Sequence, residues 1–323
     1  MRCADMKYRS LGHCGTKVSM LSLGGWITYG DAVTDEPTVK TILTEAFEGG
    51  INFFDMADQY AKGKTEECMG KLLKAFPRHE LVLSSKVFFP MSDDVNDRGL
   101  SRKHIMESVE KSLKRIGTDY LDLYFCHRYD EETPLEETIR AMDDLIHQGK
   151  ILYWGTSDWT GDQIRDAHEI CDELNCYHPQ VEQPRYNLLA RKQFEQDVRP
   201  ALLETGMGAV NFSPLAYGIL TGKYDDGTLP SGSRLEYHEW LRKRYFKEEI
   251  FAIVKKMKSI ADRLGCTRSQ LALAWCAAQE GISSVITGAT KVEQLRDNLG
   301  AKHVELSEEI RSELDSLFDP QRE

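Results

Sequence analysis

Six polar residues stand at or just beyond the ends of short apolar runs in this chain: Asp55, Lys86, His127, Ser157, Gln183 and Ser213. A seventh, Tyr60, follows five residues after Asp55. Phenol, ammonium, carboxylate and imidazole converging on one pocket make sense as a proton-donating site. A phenol with a pKa near 10 is a poor donor at neutral pH. An adjacent ammonium stabilises the phenolate and lowers that value, each unit being worth about 1.4 kcal/mol. The expectation is that Lys86 tunes Tyr60 and that Asp55 keeps Lys86 charged and aimed. His127, if neutral, would hydrogen-bond a carbonyl oxygen and orient it toward both the phenol and a hydride donor.

Such convergence needs a scaffold that brings strand ends to one mouth. Eight strand-like runs occur, at 20–23, 51–54, 81–84, 121–125, 151–154, 180–182, 209–212 and 284–286. Helical stretches separate them at 38–48, 66–75, 102–116, 135–148, 163–174 and 192–204, several opened by Ser, Thr or Asp and closed by Gly, as Ser101 and Gly117 bracket the third. The strand ends recur at roughly 30-residue intervals, the length of a strand–helix–strand unit. No Gly-rich dinucleotide fingerprint opens the first helix. The pattern predicts an α/β fold, a (β/α)8 TIM barrel in a single domain over residues 1–323, preceded by an N-terminal hairpin at 8–19. Between the last two strands a Gly/Pro/Ser-rich loop at 218–233 precedes helical segments at 248–264 and 268–280. This stretch is expected to overhang the C-terminal mouth.

The 323 residues are 41% apolar, enough for a large core, and carry 41 basic against 52 acidic side chains for a net charge of −11. That balance argues against nucleic-acid partners. The longest uncharged apolar-weighted stretch, 18–30, is 13 residues, whereas a bilayer span needs about 20. Met1 to Tyr8 has no apolar leader and Pro320 to Glu323 no retrieval or lipidation signal, so a cytoplasmic location is expected. The eight cysteines are scattered and read as reduced thiols. His168, Cys171, Cys176 and His178 offer metal-ligand chemistry within eleven residues. However, His168 and Cys171 share a turn of an amphipathic helix, where a buried thiol is ordinary, and no metal is expected. Two phosphate-loop lookalikes, at Gly63-Lys64-Thr65 and Gly222-Lys223-Tyr224, lack the required upstream glycine or hydroxyl.

The stretches at 49–60 (GGINFFDMADQY), 84–87 (SSKV), 154–157 (WGTS) and 212–218 (FSPLAYG) resemble those of the aldo-keto reductases, and the likeness runs over nearly the whole chain. The segments 34–36, 98–105, 264–267 and 270–276 resemble the branch holding the voltage-gated potassium channel β subunits and bacterial glyceraldehyde-phosphate reductases. The resemblance implies an NADP(H)-dependent oxidoreductase that transfers hydride between nicotinamide and an aldehyde or ketone. Tyr60 would be its general acid, Asp55 and Lys86 its tuning pair, and His127 the carbonyl orienter. An auxiliary, redox-sensing channel-β-like subunit with slow reductase activity is the alternative. His127 stands where the channel β subunits carry Asn, which favours the enzyme.

The resemblance also implies the cofactor's surroundings. Ser157, Asp158 and Gln183 would lie near the carboxamide, and Phe212 beneath the ring, where an aromatic face suits stacking. Gly25 and Trp26 would flank the ring. Ser213, Pro214, Leu215, Ala216 and Gly218, with the cations Lys223 and Arg234, would line the diphosphate. Gly288, Thr290 and Lys291, followed by Gln294, Asp297 and Asn298, match the adenosine segment, and Thr290 and Lys291 opening a helix would hold a 2′-phosphate. Asp158 departs from the usual Asn or Arg and can accept but not donate. Trp26, Phe88, Phe89, Trp159 and Tyr217 are expected to wall the substrate pocket, with Arg128 as an anchor for an anionic substrate. A homo-oligomer fits the family.

Overall fold

The computed structural model describes residues 5–319; Cys3 with the rest of 1–4, and Pro320 to Glu323, lie outside the described residues. A short antiparallel hairpin, β1 (Tyr8–Ser10) and β2 (Lys17–Ser19), precedes the barrel strands. These are β3 (Leu21–Gly24), β4 (Phe53–Asp55), β5 (Val82–Val87), β6 (Leu121–Cys126), β7 (Ile151–Ser157), β8 (Val181–Gln183), β9 (Gly208–Asn211) and β10 (Ile282–Thr287). All eight pair in parallel and close in chain order, β10 returning to β3 with Val285 opposite Leu21. The eightfold alternation therefore folds as the expected (β/α)8 barrel.

Helices α1 (Glu36–Glu48), α2 (Lys64–Leu73), α3 (Arg102–Ile116), α4 (Leu135–His147) and α5 (Gly161–Leu174) follow the first five barrel strands. Their ends obey local chemistry. The Ser101 side chain accepts from His104 N at 3.3 Å to open α3, and Gly117, at φ +73°, closes it. Thr160 and Gln163 form a reciprocal capping box on α5. The helix expected over 192–204 is divided, with a π-type turn at Phe194–Val198 running into α6 (Arg199–Thr205). Pro200 lacks the N–H that a continuous ladder would need there.

The barrel interior holds Phe53, Val82, Leu123, Phe125, Val181, Val210 and Ile286, and the hairpin seals its amino-terminal end with Leu11 and Val18. Gly12 sits at φ +58°, where an added Cβ would lie 2.5 Å from both Gly206 O and Gly208 N. Only glycine fits that seat. The stretch after β9 forms α7 (Arg234–Tyr237), α8 (Glu239–Tyr245), α9 (Glu248–Leu264) and α10 (Arg268–Ala277), and Arg234 and Trp240 from it overhang the opposite mouth. Beyond β10 lie α11 (Val292–Leu299) and α12 (Glu308–Leu317). Among the described residues no helix is long and apolar enough to cross a membrane, and no group of three or more His, Cys, Asp or Glu is placed to hold a metal.

Candidate active site

Strand alternation aims the reactive side chains. Leu123 and Phe125 point into the barrel, so His127, two residues on, points into its mouth. Val181 and then Gln183 follow the same rule. On β5, Ser84 and Lys86 face inward to Asp55 while Ser85 faces outward to Glu66 at 2.5 Å. Asp55 ends β4 directly after the outward Phe54. Tyr60 opens a turn at Tyr60–Gly63 whose Ala61 and Lys62 are left-handed, and its phenol meets the Lys86 ammonium.

The result is a buried contact set on the floor of a cavity of about 650 Å³. Lys86 Nζ lies 2.9 Å from Tyr60 OH, 2.8 and 2.9 Å from the two Asp55 oxygens and 2.8 Å from Met56 O, and is wholly buried. Ser84 and Gln183 Nε2 also donate to Asp55, at 2.8 and 3.0 Å. The His127 ring stands edge-on to Tyr60, with centroids 5.7 Å apart.

Burial governs the protons here. It pulls the Lys86 ammonium below its ordinary value, with Asp55 pulling back. Burial, reinforced by Asp55, pushes the Tyr60 phenol well up rather than down. The expected lowering by Lys86 does not prevail: complete burial and the Asp55 charge outweigh it. Tyr60 therefore keeps its proton and is poised to give it. Burial, then Lys86 and Arg128, hold His127 well below the ordinary imidazole value, so it is neutral as expected.

Much of the predicted cofactor set lines the same cavity: Trp26, Ser157, Asp158, Gln183, Phe212 and Ser213, and also Gly288, Thr290, Gln294, Asp297 and Asn298. Pro214, Leu215, Gly218, Lys223 and Arg234 line it as well. Burial and Arg234 draw the Lys223 ammonium down to about 8, and among the described residues neither cation pairs with a carboxylate. Two unneutralised cations on one wall fit a diphosphate.

Other predicted residues lie elsewhere. Trp159 is wholly buried and packs edge-on to Tyr129 at 4.9 Å. The left-handed Asp158 before it turns the chain off the cavity wall. Phe89 and Tyr217 line the cavity, whereas Phe88 packs behind Phe89 against the outer core. A Cβ at Gly25 would strike Thr65 and Met69, so Gly24 presents its backbone instead. Ala216 is buried behind the wall, and Lys291 is exposed outside the cavity lining. Asp158 lines the cavity and accepts one bond at each oxygen, at Oδ2 from Arg128 (3.0 Å) and at Oδ1 from Arg185 N (3.2 Å). Arg185, Gln59 and Trp240 join the lining unforeseen. Arg185 merely continues the inward period of Val181 and Gln183, a signal visible in the sequence.

Outside the cavity, Glu182 turns away from Gln183 into the wholly buried outer layer. Thr156 Oγ1 donates to it at 2.5 Å, but burial dominates and raises its pKa to about 8. The folded state thus holds a proton that the unfolded chain releases near pH 4.5. Stability should fall as pH rises between those values, by about 1.4 kcal/mol per unit. Glu182→Gln should flatten the decline of melting temperature between pH 6 and 8. A mutant curve parallel to wild type would remove this account.

Among the described residues, seven of the eight non-glycine residues with positive φ lie on loops at this mouth: Ile27, Ala61, Lys62, Asp158, Ser213, Ala216 and Tyr217. Left-handed backbone at such residues costs roughly 1–3 kcal/mol each and gathers where function dictates geometry.

A closed parallel barrel with a lysine–carboxylate pair set against a phenol at its mouth belongs among the (β/α)8 oxidoreductases. The family profile described as "Aldo/keto reductase family" matches residues 20–319, and the chain belongs to that family. It is 45% identical over 303 residues to a protein of Arabidopsis thaliana named "Probable voltage-gated potassium channel subunit beta", covering 93% of this chain and 92% of that one. A rice protein of the same name (Oryza sativa subsp. japonica) is 44% identical over 303 residues, with the same coverage.

Proposed function

We propose that this chain is a cytoplasmic NADP(H)-dependent carbonyl reductase, a single catalytic domain in which Tyr60 is the general acid in reduction and the general base in the reverse direction. The observation that carries this reading is the 2.9 Å contact between Lys86 Nζ and Tyr60 OH on the floor of the cavity. When bound, the nicotinamide supplies or accepts the hydride. The protein's own part is to bind, orient and move one proton. Neutral His127 hydrogen-bonds the substrate oxygen and holds it toward the phenol, and Tyr60 delivers its proton to that oxygen. Lys86, anchored by Asp55 and Met56 O, stabilises the charge left on Tyr60. Lys223 and Arg234 would hold the diphosphate, Phe212 the ring face, and Ser157 and Gln183 the carboxamide edge. The 2′-phosphate would fall to Thr290 and Lys291 at the start of α11.

The test is steady-state oxidation of NADPH with 4-nitrobenzaldehyde, run in parallel with NADH. Many turnovers with NADPH are expected. Arg234→Met should weaken NADPH binding by about tenfold or more, the worth of one charge-assisted bond to phosphate. A clear preference for NADH would overturn the reading of Thr290 and Lys291.

The names of the two plant relatives support a second reading, an auxiliary channel-type subunit that uses a retained nucleotide as a redox signal. A tightly held cofactor oxidised once and not exchanged would favour it over the reductase.

A further inference from the structure

Behind the floor of the cavity, between the barrel wall and helices α2 and α3, lies a buried polar layer that the proton chemistry does not use. Two wholly buried carboxyls occupy it, Asp58 and Glu66. The guanidinium beside them is committed to Glu66: Arg115 Nε donates to Oε2 at 2.5 Å, and Ser85 Oγ donates to Oε1 at 2.5 Å. Asp58 Oδ2 accepts from Ser108 Oγ at 2.8 Å, whereas Oδ1 is buried with no hydrogen-bond partner, and among the described residues no cation pairs with the group. Tyr124, whose hydroxyl is also buried and unpartnered, meets the same groups from β6. An ionised Asp58 leaves one negative charge uncompensated in this layer, and a protonated Asp58 leaves none.

The backbone couples this layer to Tyr60. Asp58 stands two residues before Tyr60, and its N–H meets Lys86 O at 3.4 Å. The Tyr60–Gly63 turn ends on Arg115: a Cβ at Gly63, where φ is +86°, would lie 2.7 Å from Arg115 Cδ. Ser108 and Arg115, both on α3, thus hold the two ends of the segment that carries the phenol.

The groups around Asp58 set the direction of its effect. Burial and then Glu66 push its carboxyl up to about 7, against Ser108, the Gln59 N–H and Arg115. His104, one turn earlier on α3, is engaged with Gly99 O at 2.9 Å and lies 3.7 Å from Asp97. On its other side Asp58 acts on Tyr60 and Lys86. Lys86 already holds both Asp55 oxygens, so its charge does not depend on Asp58. Tyr60 lacks that protection: a negative charge behind it opposes the charge that forms on its oxygen as the proton leaves. Arg128 and Asp158, which line the cavity, act on the phenol as an ion pair.

Resting on the reductase reading above, we propose that Asp58 governs Tyr60 from behind: with its own proton in place it lets the phenol give one to the substrate, and once ionised it holds that transfer back. The Asp58 proton goes to solvent, and Asp58 touches neither substrate nor cofactor. The test is the pH profile of single-turnover NADPH oxidation with saturating 4-nitrobenzaldehyde, which reads the chemical step rather than cofactor release. The wild-type rate should fall about fivefold with rising pH, across a midpoint of about 7. Asp58→Asn, which keeps an acceptor for Ser108, should hold the acid-side rate throughout. Lys223 and Glu182, drawn to about 8, affect both proteins alike. Ser108→Ala removes a bond that favours the ionised carboxyl, so its midpoint should move up by about one pH unit. A merely structural Asp58 would change the rate equally at every pH. A flat wild-type profile, or a decline that Asp58→Asn retains in full, overturns the proposal and leaves the reductase reading standing. If wild type reduces no aldehyde, the reductase reading itself fails. Should Asp58→Asn not fold, an unmoved midpoint in Ser108→Ala overturns the proposal. Independently of turnover, the infrared carbonyl band of a protonated carboxyl, taken as wild type minus Asp58→Asn, should vanish across the same midpoint, and absence of that band on the acid side overturns it as well.

Discussion

Tyr60→Phe is expected to keep NADPH binding and lose carbonyl reduction by about three orders of magnitude, within the range a positioned general acid contributes. The change removes one oxygen from a ring that stays packed edge-on against His127. Lys86 does not lose its place, because both Asp55 oxygens and Met56 O still hold it. The cavity floor therefore survives, and only the donated proton is lost. The raised phenol pKa adds a sign: Tyr60 stays protonated through neutral and mildly alkaline pH, so wild-type reduction should not fall over that range by loss of its proton. Cofactor titration by quenching of protein fluorescence, alongside kcat with 4-nitrobenzaldehyde, separates binding from chemistry. Turnover at the wild-type rate would remove Tyr60 from its role.

Lys86→Met should be costly in a different currency. Asp55 would remain in a site where it is almost fully buried, with Ser84 and Gln183 as its remaining side-chain donors. Breaking a buried pair in this way costs about 3–5 kcal/mol, because one charge is left uncompensated. Asp55→Asn combined with Lys86→Met removes both charges and should recover most of the melting temperature while leaving reduction undetectable. If the double variant is no more stable than Lys86→Met alone, the loss is one of packing rather than of an orphaned charge.

The barrel and its mouth were legible because strands obey a period of two and the mouth inherits it. Leu123, Phe125 and His127, or Val181 and Gln183, can be placed on one face without knowing the fold. What the sequence does not carry is local. The left-handed backbone of Asp158 rotates Trp159 out of the pocket, and nothing in the tripeptide Ser157-Asp158-Trp159 announces it. Asp158 itself is bonded by Arg128 and Arg185, partners that lie on other loops. The direction of the Tyr60 shift is not legible in the sequence for a related reason. A list of neighbours shows Lys86 beside the phenol, but the balance between an ammonium, its own carboxylate and complete burial appears only when all three are placed. Trp240 belongs to an insertion with no periodic signal, and its approach to Tyr217, with ring centroids 5.9 Å apart, is purely tertiary.

The closure of β10 on β3 bears on how the chain comes into being. Ser284 Oγ reaches Ser22 Oγ across 262 residues, and Ser283 Oγ reaches Ser10 O across 273. Until the ribosome has delivered the last strand, the first seven can form only an open sheet, with β3 and β9 as bare edges and the hairpin without its full seat. Exposed parallel edges of this kind are slow to satisfy and prone to pairing with the wrong neighbour. Nascent chains halted before Ile282 should therefore be caught by chaperones or aggregate, while release of the few dozen residues that follow lets barrel, plug and reactive mouth form in one cooperative event.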